Sequence, residues 1–120
     1  MSFTNLPRSL YVTLLVVKEY LEDTGLDYVT YNKLKGYCYR KRLYYKYRIN
    51  DRTLDRSLRE LARLGYFERK YLRNGKKVIY KPKPLFYAFL DWHNRFVTRN
   101  SEARQSRNVQ GRTRAGRENG

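Results

Sequence analysis

From Pro7 to Glu22 the apolar residues recur at a helical period, with Leu10, Leu14, Val17 and Leu21 on one stripe. Tyr11, Val12, Leu15 and Val16 add apolar surface on the other faces, so the first half of this helix is hydrophobic nearly all round. Helices of that kind are buried on more than one side. Asp23-Thr24-Gly25 closes it, with Gly25 as a left-handed cap. Asp27 to Thr30 fits a short strand, and a second helix begins at Thr30 or Asn32 with Leu34, Tyr37 and Cys38 on its apolar side. Gly36 inside that helix costs about 1 kcal/mol relative to Ala. Three courses stay open for Tyr37 to Ile49: continuation of the second helix, a long turn, or an extra strand.

Asn50 or Asp51 caps a third helix that runs to about Leu64. Its leucines, Leu54, Leu58 and Leu61, fall opposite Arg52, Arg56, Arg59 and Arg63 at 100° per residue. The pairs Asp55/Arg59 and Arg56/Glu60 stand at the i,i+4 spacing of helix-surface ion pairs. Gly65 ends the helix. Phe67 to Leu72 and Lys77 to Lys81 read as two strands joined at Asn74-Gly75, a pair that favours a type I′ hairpin turn with positive φ at both positions. Pro82 and Pro84 stop the second strand. A last helix, 84–97, carries Leu85, Phe89, Trp92 and Phe96 on one stripe, with Phe86, Leu90, His93 and Val97 beside it. From Thr98 onward only Ala103, Val109 and Ala115 are apolar, so 98–120 is expected to be an Arg-rich tail, disordered in isolation. Residues 1–97 form one domain of α+β class.

Charge changes the picture. The 120 residues hold 27 Lys and Arg against 11 Asp and Glu, a formal +16. Without the tail, 21 basic and nine acidic residues still leave +12. A surplus of this size makes the compact state repel itself, and a polyanionic partner relieves it. No membrane is expected, because apolar runs such as Leu14 to Val17 are far too short to span one. Phe3 to Val17 lacks the charged start and cleavage site of a secretory signal, so a cytoplasmic protein is expected (host cytoplasm if viral). Gln occurs only at Gln105 and Gln110 and Met only at Met1, a usage in keeping with thermophile proteins.

Catalytic chemistry finds no support. With Cys38 and His93 the sole residues of their types, neither a disulfide, a zinc site nor a Cys/His pair can assemble in one chain. Cys38 reads as a small buried residue. The carboxylates Asp51, Asp55, Glu60 and Glu68 sit among arginines at spacings that fit capping and ion pairs. We expect no enzyme, cofactor or metal. The basic groups, by contrast, cluster. Arg69, Lys70, Arg73, Lys76 and Lys77 follow directly on the arginine stripe, and no Asp or Glu occurs between Asp27 and Asp51. Within that interval Tyr37, Tyr39, Tyr44, Tyr45 and Tyr47 alternate with Arg40, Lys41, Arg42, Lys46 and Arg48. Most of these rings are expected to pack, while the cations lie along a phosphate backbone.

The run from Asn50 to Phe67, with Leu58-x-x-Leu61-x-x-Leu64-Gly65-Tyr66 leading into the hairpin, resembles the recognition helix and wing of the winged helix-turn-helix superfamily of transcription regulators. The order from Pro7 to Lys81 is similar to that fold: helix, short strand, helix, helix, hairpin. Small, basic, tyrosine-rich members of this kind resemble those encoded by viruses of hyperthermophilic archaea. The resemblance implies three helices and a β-hairpin wing, with the additional C-terminal helix similar to dimerisation helices in some regulators. It places helix 50–64 in the major groove of double-stranded DNA and the 66–81 hairpin on the backbone. N-terminal residues of such a helix face base edges, so Asn50, Arg52, Thr53 and Arg56 are the candidate readers. Arg59, Arg63, Arg40, Lys41, Arg42, Arg48, Arg73, Asn74, Lys76 and Lys77 are candidate contacts alongside them. The segment Tyr37 to Ile49 departs from the usual short turn between the second and third helices.

Three functions compete: a sequence-specific regulator, a packaging protein that coats duplex with little preference, and an RNA or single-stranded DNA binder using the 37–48 tyrosines. Helix-plus-hairpin order favours the first, total charge the second, and ring-cation alternation the third. A homodimer through the first and last helices is expected from their apolar excess, with Leu15, Phe86, Leu90 and Val97 at its interface.

Overall fold

The computed structural model describes residues 3–73, 75 and 77–97; Asn74, Lys76 and the tail expected at 98–120 lie outside the described residues. The architecture is α+β, with five helices and one antiparallel hairpin in the order α1 (Arg8–Thr24), α2 (Tyr31–Arg40), α3 (Leu43–Tyr47), α4 (Asp51–Arg63), β1 (Phe67–Leu72), β2 (Lys77–Pro82) and α5 (84–97). No helix among the described residues is long and apolar enough to cross a membrane.

Helix α1 is the hub. It packs against both α2 and α4, and Leu14, Val16 and Val17 are fully buried. Its second apolar face is covered by α5: the Tyr11 ring meets Phe89 edge-on at 5.5 Å and Trp92 at 6.4 Å. Phe3, ahead of the helix, closes the same cluster against Phe89 at 5.5 Å. The all-round hydrophobicity of α1 is thus spent inside one chain. Gly25 ends the helix at φ 72°, and its N–H donates to the Leu21 carbonyl at 2.9 Å, the left-handed cap that glycine adopts without steric cost.

The stretch before α2 contributes one bridge rather than a strand. Val29 exchanges two backbone hydrogen bonds with Tyr80, at 3.0 and 2.8 Å, and so flanks β2. Thr30 then caps α2, its hydroxyl accepting from the Lys33 N–H at 3.2 Å. Of Tyr37 to Ile49, residues Tyr37 to Arg40 continue α2, one of the three courses left open, and a turn and a further short helix follow. Arg42 and Arg48, both at φ 56°, bracket the single turn of α3. Buried Leu43 pins that turn to the core, and the Tyr47 hydroxyl donates to Glu19 of α1 at 2.8 Å. No short-range pattern encodes two left-handed arginines; the anchors at Leu43 and Glu19 hold them there.

Helix α4 buries Leu54, Ser57, Leu58 and Leu61 and turns its arginines outward. Each buried leucine contributes roughly 1.5–3 kcal/mol. Leu64 does not join them and is exposed, because the chain turns at Gly65 (φ 97°) into β1. The β1–β2 register runs from Phe67↔Pro82 to Leu72↔Lys77. Arg73 (φ 54°) and Gly75 (φ 85°) between the strands are left-handed; the turn expected at Asn74-Gly75 includes Asn74, which lies outside the described residues.

The last helix corrects the interface expectation in part. Phe86 is 0 % exposed and packs on Phe67 at 5.2 Å, so it belongs to the core and not to a surface. Leu15 and Leu90 are half-buried against the same core. Of the four interface candidates Val97 alone is exposed, together with Tyr87 and Phe96 on the same helix.

Candidate nucleic-acid interface

Asn50 positions the first turn of α4: its side-chain oxygen accepts from the Thr53 N–H at 2.8 Å. That bond uses one of the two lone pairs of the amide oxygen and leaves the other, with both N–H donors, for an outside partner. Thr53 is half-buried. Arg52 and Arg56 are exposed and have no ion-pair or hydrogen-bond partner among the described residues. One turn further the stripe changes character. Arg59 donates to Asp55, as its spacing predicts. Glu60 is bound by Arg63, Nε donating at 3.0 Å and a second nitrogen alongside, rather than by Arg56. Those two contacts hold the Glu60 carboxyl below its usual range and push the Arg63 guanidinium above it. The free charge of α4 therefore lies at its N-terminal half.

The hairpin adjoins this face. Tyr80 on β2 lies in the field of Arg69, Asp55 and Arg59, although burial dominates and raises its hydroxyl pKa. Every residue of β1 after Phe67 is exposed. Arg69 donates to the Tyr71 hydroxyl at 2.7 Å and lies over both the Tyr71 ring (5.1 Å) and the Tyr80 ring (6.0 Å), cation–π contacts that stiffen the strand's charged side. At the loop end, Arg73 and Lys77 line a depression of about 570 Å³ shared with Asn32 and Lys33 of α2. The α2 start, the loop end of the hairpin and the exposed side of α4 thus form neighbouring basic surfaces.

Of the 40–48 cations, Arg40, Arg42 and Arg48 have no carboxylate partner among the described residues, whereas Lys41 stands 3.9 Å from Asp23 on the α1 side. The five tyrosines divide. Tyr37 is buried and donates to Asp23 at 2.5 Å, Tyr47 is tied to Glu19, and Tyr44 is half-buried. Tyr39 and Tyr45 stand out at 79 % and 84 % exposure. Cys38 is fully buried, and burial, with the charge of Glu19, pushes its thiol up to about 12, which leaves it protonated and unreactive at neutral pH.

Sequence reasoning missed an open cleft of about 640 Å³ where α2, α3 and the start of α4 meet. Asn32, Lys35, Gly36, Tyr39 and Arg40 line one side at successive helical turns, and Tyr44, Ile49, Asn50 and Asp51 the other. The i,i+3,i+4,i+7 spacing of the α2 residues was visible; the wall opposite them depends on the unforeseen turn at α3. Comparisons of the chain with protein-family models, curated proteins and solved structures find no match.

Proposed function

We propose that this chain binds double-stranded DNA as a winged helix-turn-helix transcription regulator. Helix α4 enters the major groove and the β1–β2 hairpin serves as the wing on the adjacent backbone. The observation that carries this reading is the pair Arg52 and Arg56, exposed and unpaired on the N-terminal half of a helix whose other face is locked into the core by Leu54, Leu58 and Leu61. A guanidinium held there pairs bidentately with guanine O6 and N7, and each such pair discriminates by about 1–3 kcal/mol. Arg69, Lys70, Arg73 and Lys77 supply phosphate contacts, as do Arg40, Arg42 and Arg48. Asp55 and Glu60 partly screen Arg59 and Arg63, so these two act as exchangeable phosphate contacts rather than base readers.

Selection of bound sites from a random duplex library, followed by affinity ratios at physiological salt, tests the reading. A sequence-reading regulator yields one enriched site bound at least about 10³-fold over random duplex. A ratio near one assigns the chain to packaging instead, where total charge alone sets affinity.

A further inference from the structure

The cleft between α2 and the start of α4 combines features that a purely structural crevice does not need. The Tyr39 ring stands 79 % exposed at its edge with no aromatic or cationic partner among the described residues. Tyr44 lines it too, with a hydroxyl that is buried yet has no hydrogen-bond partner among the described residues. Arg40, with no carboxylate partner among the described residues, puts positive charge beside the rings, while Lys35 is paired with Asp51 at 3.7 Å. Gly36 leaves the α2 side without a side chain; a Cβ there would meet only the Arg40 guanidinium, at 3.4 Å. The volume, about 640 Å³, falls within the range of small-ligand sites.

From this arrangement we infer that the cleft receives one unpaired nucleotide of the bound DNA, its base stacked on Tyr39 and its phosphate held by Arg40. Rings beside cations are the chemistry by which proteins hold unstacked bases. The inference rests on the proposed DNA-binding face, because Asn50 and Asp51 belong both to the cleft wall and to the first turn of α4. A duplex gripped by Arg52 and Arg56 therefore presents its neighbouring backbone to the cleft mouth. An unpaired base reaches it, whereas a base in an intact stack does not. The protein thereby prefers DNA that carries a bulge or an opened pair next to its site.

Two duplexes of identical sequence, one fully paired and one with a single unpaired thymine, decide the matter in the full-length chain. The bulged duplex binds on the order of tenfold more tightly, and the unpaired thymine is shielded from permanganate oxidation. Tyr39→Ala removes both effects and leaves affinity for the paired duplex unchanged, while Tyr39→Phe, which keeps the ring, retains them. Gly36→Leu, which puts a side chain into the cleft one turn from Tyr39 on the same helix, also removes them. Equal affinity for the two duplexes with an exposed thymine overturns the inference, as does a bulge preference that survives Tyr39→Ala, since DNA bending alone would then explain it. Failure of the DNA-binding reading shows separately, as loss of affinity for the paired duplex; the bulged arm still reports on the cleft.

Discussion

His93 illustrates how one side chain records the packing of the whole C-terminal layer. Its ring stacks on Phe89 at 5.8 Å and 21° and meets Tyr11 at 5.9 Å, with Nδ1 buried and unpartnered among the described residues. Burial, and then the positive charge of Lys18, lowers its pKa below the ordinary value. A depressed histidine is held neutral in the fold while the unfolded chain still takes up a proton near pH 6.5, so the unfolded state binds more protons in that window. Its contribution to stability is present above about pH 6.5 and is lost as the pH falls through the lower folded value. Urea midpoints measured from pH 8 to 5 should hold steady and then decline. His93→Leu should flatten the decline, and equal slopes for the two proteins would show that His93 is not neutral in the fold. At this scale the sequence was legible for Cys38 and for the Gly25 cap, because both follow from local rules. Phe86 was not. Its stripe on α5 looks the same whether the partner is β1 of the same chain or a second molecule, and only the close approach to Phe67 resolves it.

At the scale of elements, α4 buries its leucines on one face and exposes Arg52 and Arg56 on the other, so the proposed function separates stability from binding along one helix. Leu58→Ala opens a cavity in a fully buried site and should cost about 2–5 kcal/mol of stability. Arg56→Ala, on the opposite face, should leave the melting temperature within a degree or two while it weakens binding to a preferred site by about 1–3 kcal/mol. Arg69→Ala on β1 should weaken all sequences about equally. If the Arg56 and Arg69 variants lose affinity alike on every sequence, α4 grips without reading. Phe86→Ala should cost about 3–5 kcal/mol, and thermal melts of Phe86→Glu should show an unfolded chain, not a stable monomer released from a dimer. Most boundaries were readable from period and punctuation: Thr30, Asn50 and Gly65 mark helix ends, and alternating segments on either side of Asn74-Gly75 mark the hairpin. The turn at α3 was not readable. It depends on Leu43 reaching the core and on Tyr47 meeting Glu19, contacts between residues 28 apart in the latter case.

Over the whole molecule, most of the apolar surplus of α1 and α5 is buried within the chain, leaving Tyr87, Phe96 and Val97 exposed on α5. The basic surplus remains. Paired carboxylates quiet Arg59, Arg63, Lys35, Lys41 and Lys70, yet Arg52, Arg56, Arg40, Arg42 and Arg48 keep their charge unshared on described surfaces. On the proposed reading, a polyanion lying across the α4 and hairpin faces would relieve the self-repulsion of this charge. Charge and composition alone point to that partner class. The division between free and screened arginines was not legible, because Glu60 could reach Arg56 or Arg63 with equal ease along the helix.

The dependence of duplex affinity on salt tests this account most directly. On the order of six to ten phosphate contacts should give a slope of log affinity against log salt of roughly −5 to −9. The Arg52→Ala/Arg56→Ala double variant should reduce that slope by no more than about 2 if these residues face bases and neighbouring phosphates together, while the site preference collapses. A nearly flat slope for the unaltered protein would contradict the assignment of this face to DNA.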